Sequence, residues 1–381
     1  MALSVLRSRL VFVKSLHLRP SCRRQYTHGI ASESPFKVLF MGRDEFSCLV
    51  LKELHSAQDV WDQLVIATQP DQRVGRRGSQ LSISPLKILG ESLGFPVHTI
   101  PHTKADFCHW KPPSPFSYEY PSPPSNHLVV TASFGRILPS PLLDLFQSQR
   151  RLNVHPSLLP VYRGPAPIQH TIMNGDAETG VCIIQMLKRE EGIDAGGVYG
   201  SSKLAIQEDA DFATLRNKLG IEGGKLLVSV LRDMIAGRAS LADQPSSHSA
   251  SHAHIITSRD SVIDFESMTA EVIVRRHRAF SHQRPLVAHL ETGKSIQLHD
   301  LAVHPLFASE YLLFAPGAAR YDEQAGSLLI RCADDTVLSV SRVKQEGKAL
   351  VNAKDWWNGV KGLGLVDVDQ IQLVGSNDSE H

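Results

Sequence analysis

The chain has 381 residues, 42% of them hydrophobic, with 40 Lys+Arg against 39 Asp+Glu. That composition excludes a disordered or fibrous chain and leaves room for two domains with a sizeable core. No apolar run is long enough to span a bilayer, and five scattered cysteines without a C-x-x-C point to reduced thiols rather than a disulfide scaffold.

Residues 1–32 carry Arg7, Arg9, Lys14, Arg19, Arg23 and Arg24 and no acid, with Leu3, Leu6, Leu10, Val11 and Val13 roughly along one helical face. An Arg-rich, Ser-containing, acid-free amphipathic start is expected to be a mitochondrial transit peptide, cleaved after Tyr26 in "RRQYT", which places the mature chain in the mitochondrial matrix; a disordered basic tail is the bland alternative. Without the six cations of this segment, 34 Lys+Arg face 39 acids, a net charge of −5. A generally basic nucleic-acid binder is therefore excluded, and any RNA contact must use local patches.

"FKVLFMG" (Phe36–Gly42) is an apolar strand, and "DEFSCLVLKEL" behind it has helical spacing. "LVIAT" (Leu64–Thr68) predicts a second buried strand and "SPLKILGESLG" a short helix opened by Ser-Pro. "HLVVTAS" (His127–Ser133), "RLNVH" (Arg151–His155) and "VCIIQML" (Val181–Leu187) are further apolar runs, with a long helix over Phe212–Ile235. Strands alternating with helices predict an α/β fold with a Rossmann-like, mostly parallel sheet, buried on both faces. "GRDEFS" after the first strand lacks G-x-G-x-x-G, so NAD and FAD are rejected, and there is no Walker A sequence.

"KPPSPFSYEYPSPPS" (Lys111–Ser125) reads as a surface excursion, and Gly237–His254 as an interdomain linker. Its histidines, 248, 252 and 254, lack Cys or acidic partners, so no metal is expected. Beyond it, a helix around Thr269–Phe280 precedes several short β-like runs, which suggest a small OB-like β-barrel closed by a helix at "NAKDWWNGV". The expected division is a transit peptide (1–32), a catalytic domain (33–236), a linker (237–254), a β-barrel (255–362) and a tail (363–381).

The chemistry concentrates in "NVHPSLLPVYRGPAPIQH" (Asn153–His170). On a strand of period two, Asn153 and His155 share one face. Pro156 ends the ladder, so both lie at the C-terminal strand end, where ligands bind in open α/β sheets. Three prolines stiffen the next turn, and Pro167 sits near the first turn of a helix. An amide can donate to a developing oxyanion and an imidazole can donate to it or relay a proton. Neither is a nucleophile, and no nucleophile elbow is present, which suggests direct acyl transfer between two bound substrates. Asp194, in the Gly-flanked "EEGIDAGGV", is a candidate partner for His155. The bland alternatives, a strand-end polar pair and ordinary turn chemistry at Asp194, stay open on these residues alone.

"NVHPSLLPVYRGPAPIQ", with "GIDAGG" downstream, resembles the formyltransferases that use 10-formyltetrahydrofolate. "FKVLFMGRDEFS" resembles that family's first strand and turn, "VVTASFGRILP" (Val129–Pro139) its folate-pocket segment, and "ATQPDQRVGRRGSQLSISPLK" (Ala67–Lys87) the inserted loop of the methionyl-tRNA formyltransferases. "VSRVKQEGKALVNAKDWWNG" resembles the end of their β-domain. The resemblance, over roughly residues 36–360, implies catalytic roles for Asn153, His155 and Asp194. It implies binding of 10-formyltetrahydrofolate, as co-substrate, by Ser133, Phe134, Gly135, Ile137, Leu138, Pro139, Ser157, Leu158, Leu159 and Pro160. Contacts to initiator methionyl-tRNA are implied for Arg73, Arg76, Arg77 and Arg163. No metal and no membrane are implied, and a monomer is expected.

Three features depart from the family pattern. The loop reads "GRRG" where Gly-Arg-Gly is usual, Ala195 stands where Thr is common, and the Pro/Ser excursion is long. Residues 251–381 hold 13 Lys+Arg and 17 Asp+Glu, so basic spots such as Arg275, Arg276 and Arg278, or Arg342, Lys344, Lys348 and Lys354, would have to carry any RNA contact there, although the Arg-rich helix by itself reads as a solvated face. Two other readings are kept: a formyltransferase acting on a nucleotide or amino sugar, and a non-catalytic RNA-binding or assembly factor that keeps the fold.

Overall fold

The computed structural model describes residues 34–75, 78–117, 121–245, 250–305, 307–308 and 313–375. The expected transit segment, Arg76, Arg77 and His248 lie outside these residues.

Strand β1 (Phe36–Gly42) leads into α1 (Glu45–Ser56), whose N-cap Asp44 accepts from Ser47 N at 3.2 Å. β2 (Trp61–Thr68) is followed by a small hairpin of β3 (Gln72–Val74) and β4 (Gln80–Ser82). Then come α2 (Pro85–Ser92), opened by Pro85, β5 (Val97–Thr99), α3 (Lys104–Cys108), β6 (His127–Ala132) and α4 (Ser140–Leu143). β7 (Arg151–His155), α5 (Pro167–Asn174), β8 (Glu178–Gln185), β9 (Val198–Ala205) and α6 (Phe212–Ile235) complete the first body.

These strands form one sheet in the order β5-β2-β1-β6-β7-β8-β9. Pairing is parallel from β5 to β7, and β8 and β9 are added antiparallel. Alternate side chains sort to opposite faces. Val38, Phe40, Leu152 and Val154 pack with α1 and α6, while Leu39, Met41 and Val129 pack with Phe107, Phe134 and Phe146 on the other side. Asn153 and His155 alternate with Leu152 and Val154, so they share the second face, beside the cavity.

The second body begins with α7 (Ser258–Ser261) and α8 (Ala270–Phe280). Strands β10 (Leu286–Leu290), β11 (Ser295–His304), β12 (Ala318–Asp322), β13 (Ser327–Arg331), β14 (Val337–Gln345) and β15 (Leu350–Asn352) lead to α9 (Ala353–Gly362) and β16 (Ile371–Val374). The order β11-β10-β16-β12-β13-β14 closes on itself through β14–β11 pairing, giving a six-stranded antiparallel barrel, with β15 added on β14. Trp356 and Trp357 of α9 are buried in the core.

Two boundaries differ from the sequence reading. The expected tail 363–381 contains β16, which completes the barrel; four residues after a Gly/Asp-rich stretch are too short to stand out in a periodicity. The expected linker 237–254 is bound to the first body. Ala242 exchanges two backbone hydrogen bonds with Val198, and Arg163 pairs with the stretch around His252. Its Ser-rich composition reports polarity, not whether its backbone is paired.

The arginines of α8 are neither a solvated face nor free cations. Arg275 Nε donates to Met173 O at the C-terminal end of α5, where carbonyls lack helical partners. Arg276 donates to Asp260 O and Arg278 to Glu208 O, so two of the three tie α8 to the first body. Arg342 is paired with Asp300.

Candidate active site

The site forms where β1, β6 and β7 end together. Thr131 of β6 lies beside Asn153 of β7 in the parallel register, and Met41 of β1 beside Thr131. A cavity of about 810 Å³ opens there. Its lining includes Arg43 and Asp44 after β1, Ser133, Phe134, Gly135, Ile137 and Leu138 after β6, and Asn153, His155 and Asp194.

The three candidate catalytic residues meet. Asn153 Nδ2 donates to Asp194 Oδ1 at 3.3 Å, and Asn153 Oδ1 accepts from Thr131 Oγ1 at 2.8 Å. A carboxylate only accepts, so this arrangement fixes which end of the amide is nitrogen. One N–H of Asn153 is left for the cavity. His155 is buried, with Nε2 at 2.9 Å from Tyr162 O. A carbonyl cannot donate, so Nε2 carries the proton and a neutral ring has a bare Nδ1. That Nδ1 lies 3.7 Å from Asp194 Oδ2, with the two side chains 4% and 14% exposed. The second carboxylate contact is Gly164 N, donating to Oδ2 at 3.0 Å.

Two glycines are required by this packing. At Gly164 (φ +109) a Cβ would come within 2.7 Å of His252 Cε1 and 2.9 Å of Ala253 O. At Gly196, beside the Asp194 loop, a Cβ would lie 1.9 Å from Gln185 O. Asp194 itself has φ +52, a left-handed backbone that an Asp tolerates better than most residues.

The loop after β6 is held from outside. Gln69 Nε2 donates to Phe134 O at 2.6 Å, and Arg136 donates to Pro101 O at 2.9 Å and His102 O at 2.8 Å. Phe134, Ile137, Leu138, Leu143 and Met186 give the cavity an apolar wall, and its size is that of a small-molecule site. Asp44 faces the cavity as well, and burial raises its carboxyl above the usual range.

The remaining sequence candidates fall differently. Pro139, Ser157, Leu158, Leu159 and Pro160 do not line the cavity. Ser157 is buried, with its hydroxyl on Val161 O at 2.6 Å, and Leu159 packs on Cys182 and Ile184. This stretch supports the turn beneath the site rather than its wall. Arg73 sits on β3 of the hairpin. Arg163 is engaged: its Nη2 and Nε donate to Gln244 Oε1 at 2.6 and 3.1 Å. Among the described residues, no group of three or more His, Cys, Asp or Glu side chains is arranged to hold a metal ion.

Sequence reasoning missed Thr131, the Tyr162 carbonyl, Asp44, Gln244 and His252. Thr131 had a signal, a hydroxyl inside an otherwise apolar strand. Gln244 had none, because nothing local ties it to a residue so far back in the chain.

Two family models match the chain: "Formyl transferase" over residues 36–231 and "Formyl transferase, C-terminal domain" over 255–361. A methionyl-tRNA formyltransferase of Macrococcus caseolyticus is 33% identical over 346 residues, 90% of this chain and 99% of that protein. One from Enterococcus faecalis is 32% identical over 88% of this chain and 99% of its own length. Among solved structures, HypX from Aquifex aeolicus in complex with tetrahydrofolic acid aligns with TM-score 0.56 at 14% identity, over 85% of this chain and 47% of that one. The sugar 3N-formyl transferase WlaRD, with dTDP and 5-N-formyl-THF, aligns with TM-score 0.55 at 16% identity, over 82% of this chain and 99% of that one. At such identities the two structures speak to the fold.

Proposed function

From membership of the methionyl-tRNA formyltransferase family, to which this chain belongs, we propose that it transfers the formyl group of 10-formyltetrahydrofolate to the α-amino group of methionine on charged initiator tRNA. The observation that carries this reading is the meeting of Asn153, His155 and Asp194 beside one strand-end cavity.

The family's co-substrate supplies an activated formyl carbon, and the chain's own residues do the rest. Asn153 offers its remaining N–H to the oxygen that gains charge as the amine attacks, a contact of the kind worth roughly 10²–10³ in rate. His155 in its neutral form has no N–H free for that oxygen, so its part is at Nδ1, taking the proton that the amine loses and returning it to the folate nitrogen as the bond from the formyl carbon to that nitrogen breaks. Asp194 stabilises that proton on the ring and fixes the ring's orientation. An α-amino pKa near 7.7–8.0 gives the amine a useful neutral fraction, so juxtaposing the two substrates supplies much of the effect. Arg73, with Arg76 and Arg77 close by in the sequence, contacts the acceptor end of the tRNA.

We place this activity in the mitochondrial matrix, for translation initiation, on the strength of the acid-free basic segment 1–32, and take the enzyme as a monomer. A fusion of residues 1–32 to a fluorescent protein should localise to mitochondria; cytosolic fluorescence would remove the location. The activity is tested with labelled formyl donor and three acceptors: charged initiator tRNA, glycinamide ribonucleotide and an amino-sugar nucleotide. Label on the tRNA alone is expected. Label on either small acceptor in preference would move the substrate to the nucleotide or amino-sugar reading, and no transfer at all would favour a binding factor.

A further inference from the structure

We infer that Gln244, in the segment joining the two bodies, is a positioning residue for Asp194; this rests on the reading of Asp194 as the partner of the proton-accepting His155. The Gln244 amide is fully committed. Nε2 donates to Asp194 O at 2.7 Å and to Gly196 O at 2.8 Å, while Oε1 takes the Arg163 guanidinium at 2.6 and 3.1 Å. Carbonyls only accept and guanidinium only donates, so the amide has one possible orientation.

The two stretches it joins hold opposite sides of one carboxylate. Asp194 stands in a loop with Gly192 on one side and Gly196 and Gly197 on the other, and its own φ is +52. Such a loop has little intrinsic preference for a single conformation. Arg163 precedes Gly164, whose N–H donates to Asp194 Oδ2 at 3.0 Å. The Arg163–Gln244 pair therefore sets the distance between the donor, Gly164 N, and the acceptor, Asp194. Gln244 is itself held on both sides: Ala242 bonds Val198 in both directions, and Ser251 and Ala253 bond Pro160, Arg163 and Ala166. A catalytic carboxylate must be held to within about 0.5 Å, and a glycine-rich loop does not provide that alone.

Full-length Gln244→Ala and Gln244→Glu test this. The Glu variant keeps length and the Arg163 contact but loses both donors to the carbonyls. Both should lower kcat roughly 10- to 100-fold, the scale of a misplaced reacting group, with KM for both substrates within about twofold. Asp243→Ala, on the same segment, should leave kcat unchanged. In an Asp194→Asn background, Gln244→Ala should cost nothing further, because a residue acting only through Asp194 gives non-additive losses. Independently of any reaction, hydrogen exchange at the amides of 192–197 should speed up in both variants. Unchanged exchange, near-normal kcat in both variants, or fully additive losses would each overturn the inference. Absence of transfer by the wild-type chain would instead refute the proposed function, and the exchange measurement would still decide the role of Gln244.

Discussion

Nδ1 of His155 lies 3.7 Å from Oδ2 of Asp194, and it is the ring nitrogen that faces away from the Tyr162 carbonyl. An imidazole nitrogen and a carboxylate oxygen that face each other attract strongly once a proton sits between them. A proton taken from an attacking amine would be held between this nitrogen and this carboxylate, beside the cavity. Asp194→Asn removes the charge that holds the proton on the ring. It should lower kcat by about 10²- to 10⁴-fold, the range for lost acid–base assistance, with folate binding little changed. Steady-state kinetics beside a folate-analogue titration checks this, and retention of most of the wild-type kcat would refute that role for Asp194.

Thr131 orients Asn153 by donating to its Oδ1 at 2.8 Å. Thr131→Val keeps the shape of a buried strand residue and removes that donor. A lost hydrogen bond of roughly 1–1.5 kcal/mol predicts about a 5- to 15-fold fall in kcat, while Thr131→Ser should stay near wild type. Equal kcat values for the Val and Ser variants would show that the amide is oriented without this hydroxyl.

The strand carrying Asn153 and His155 was legible because its period of two and its terminal proline are local properties of "RLNVHP". The long helix Phe212–Ile235 was legible for the same reason. The reversal of direction at β8 was not, since a strand buried on both faces is apolar throughout whichever way it runs. The hold on Asp194 was hidden too. Gln244 sits in a Ser-rich stretch whose composition resembles a linker, and its contacts depend on where α6 returns the chain. The α8 arginines were visible as charges, but their acceptors are backbone carbonyls, which have no sequence signature.

Those arginines give a prediction about stability rather than RNA. Arg275 packs across Gly175 and caps α5 through Met173 O at 3.2 Å. Arg275→Ala should destabilise the protein by about 1–2 kcal/mol in urea unfolding, and leave the salt dependence of KM for tRNA as it was. A shallower salt slope with unchanged stability would mean that Arg275 serves a phosphate instead.

Burial pushes the His127 imidazole, at the start of β6, down to about 4 from its ordinary value of 6.5, with Lys37 adding to the shift. Between these values the unfolded chain binds more protons than the folded one. Stability from this residue is therefore complete above about 6.5 and lost as pH falls toward about 4. His170, His277, His282 and His299 are lowered chiefly by burial and act in the same direction. Urea unfolding at a series of pH values should show stability declining below pH 6.5, with a flatter profile for His127→Gln. Identical profiles would exclude His127 as a contributor.

In the proposed reaction the free N–H of Asn153 stabilises charge only while the formyl group is passing. Single-turnover formylation of charged initiator tRNA by Asn153→Ala isolates that step. The rate should fall by roughly 10²–10³ while the affinities for folate and tRNA stay within about twofold of the wild type. A rate near that of the wild type, or a loss traceable entirely to weaker binding of either substrate, would rule out this role for Asn153.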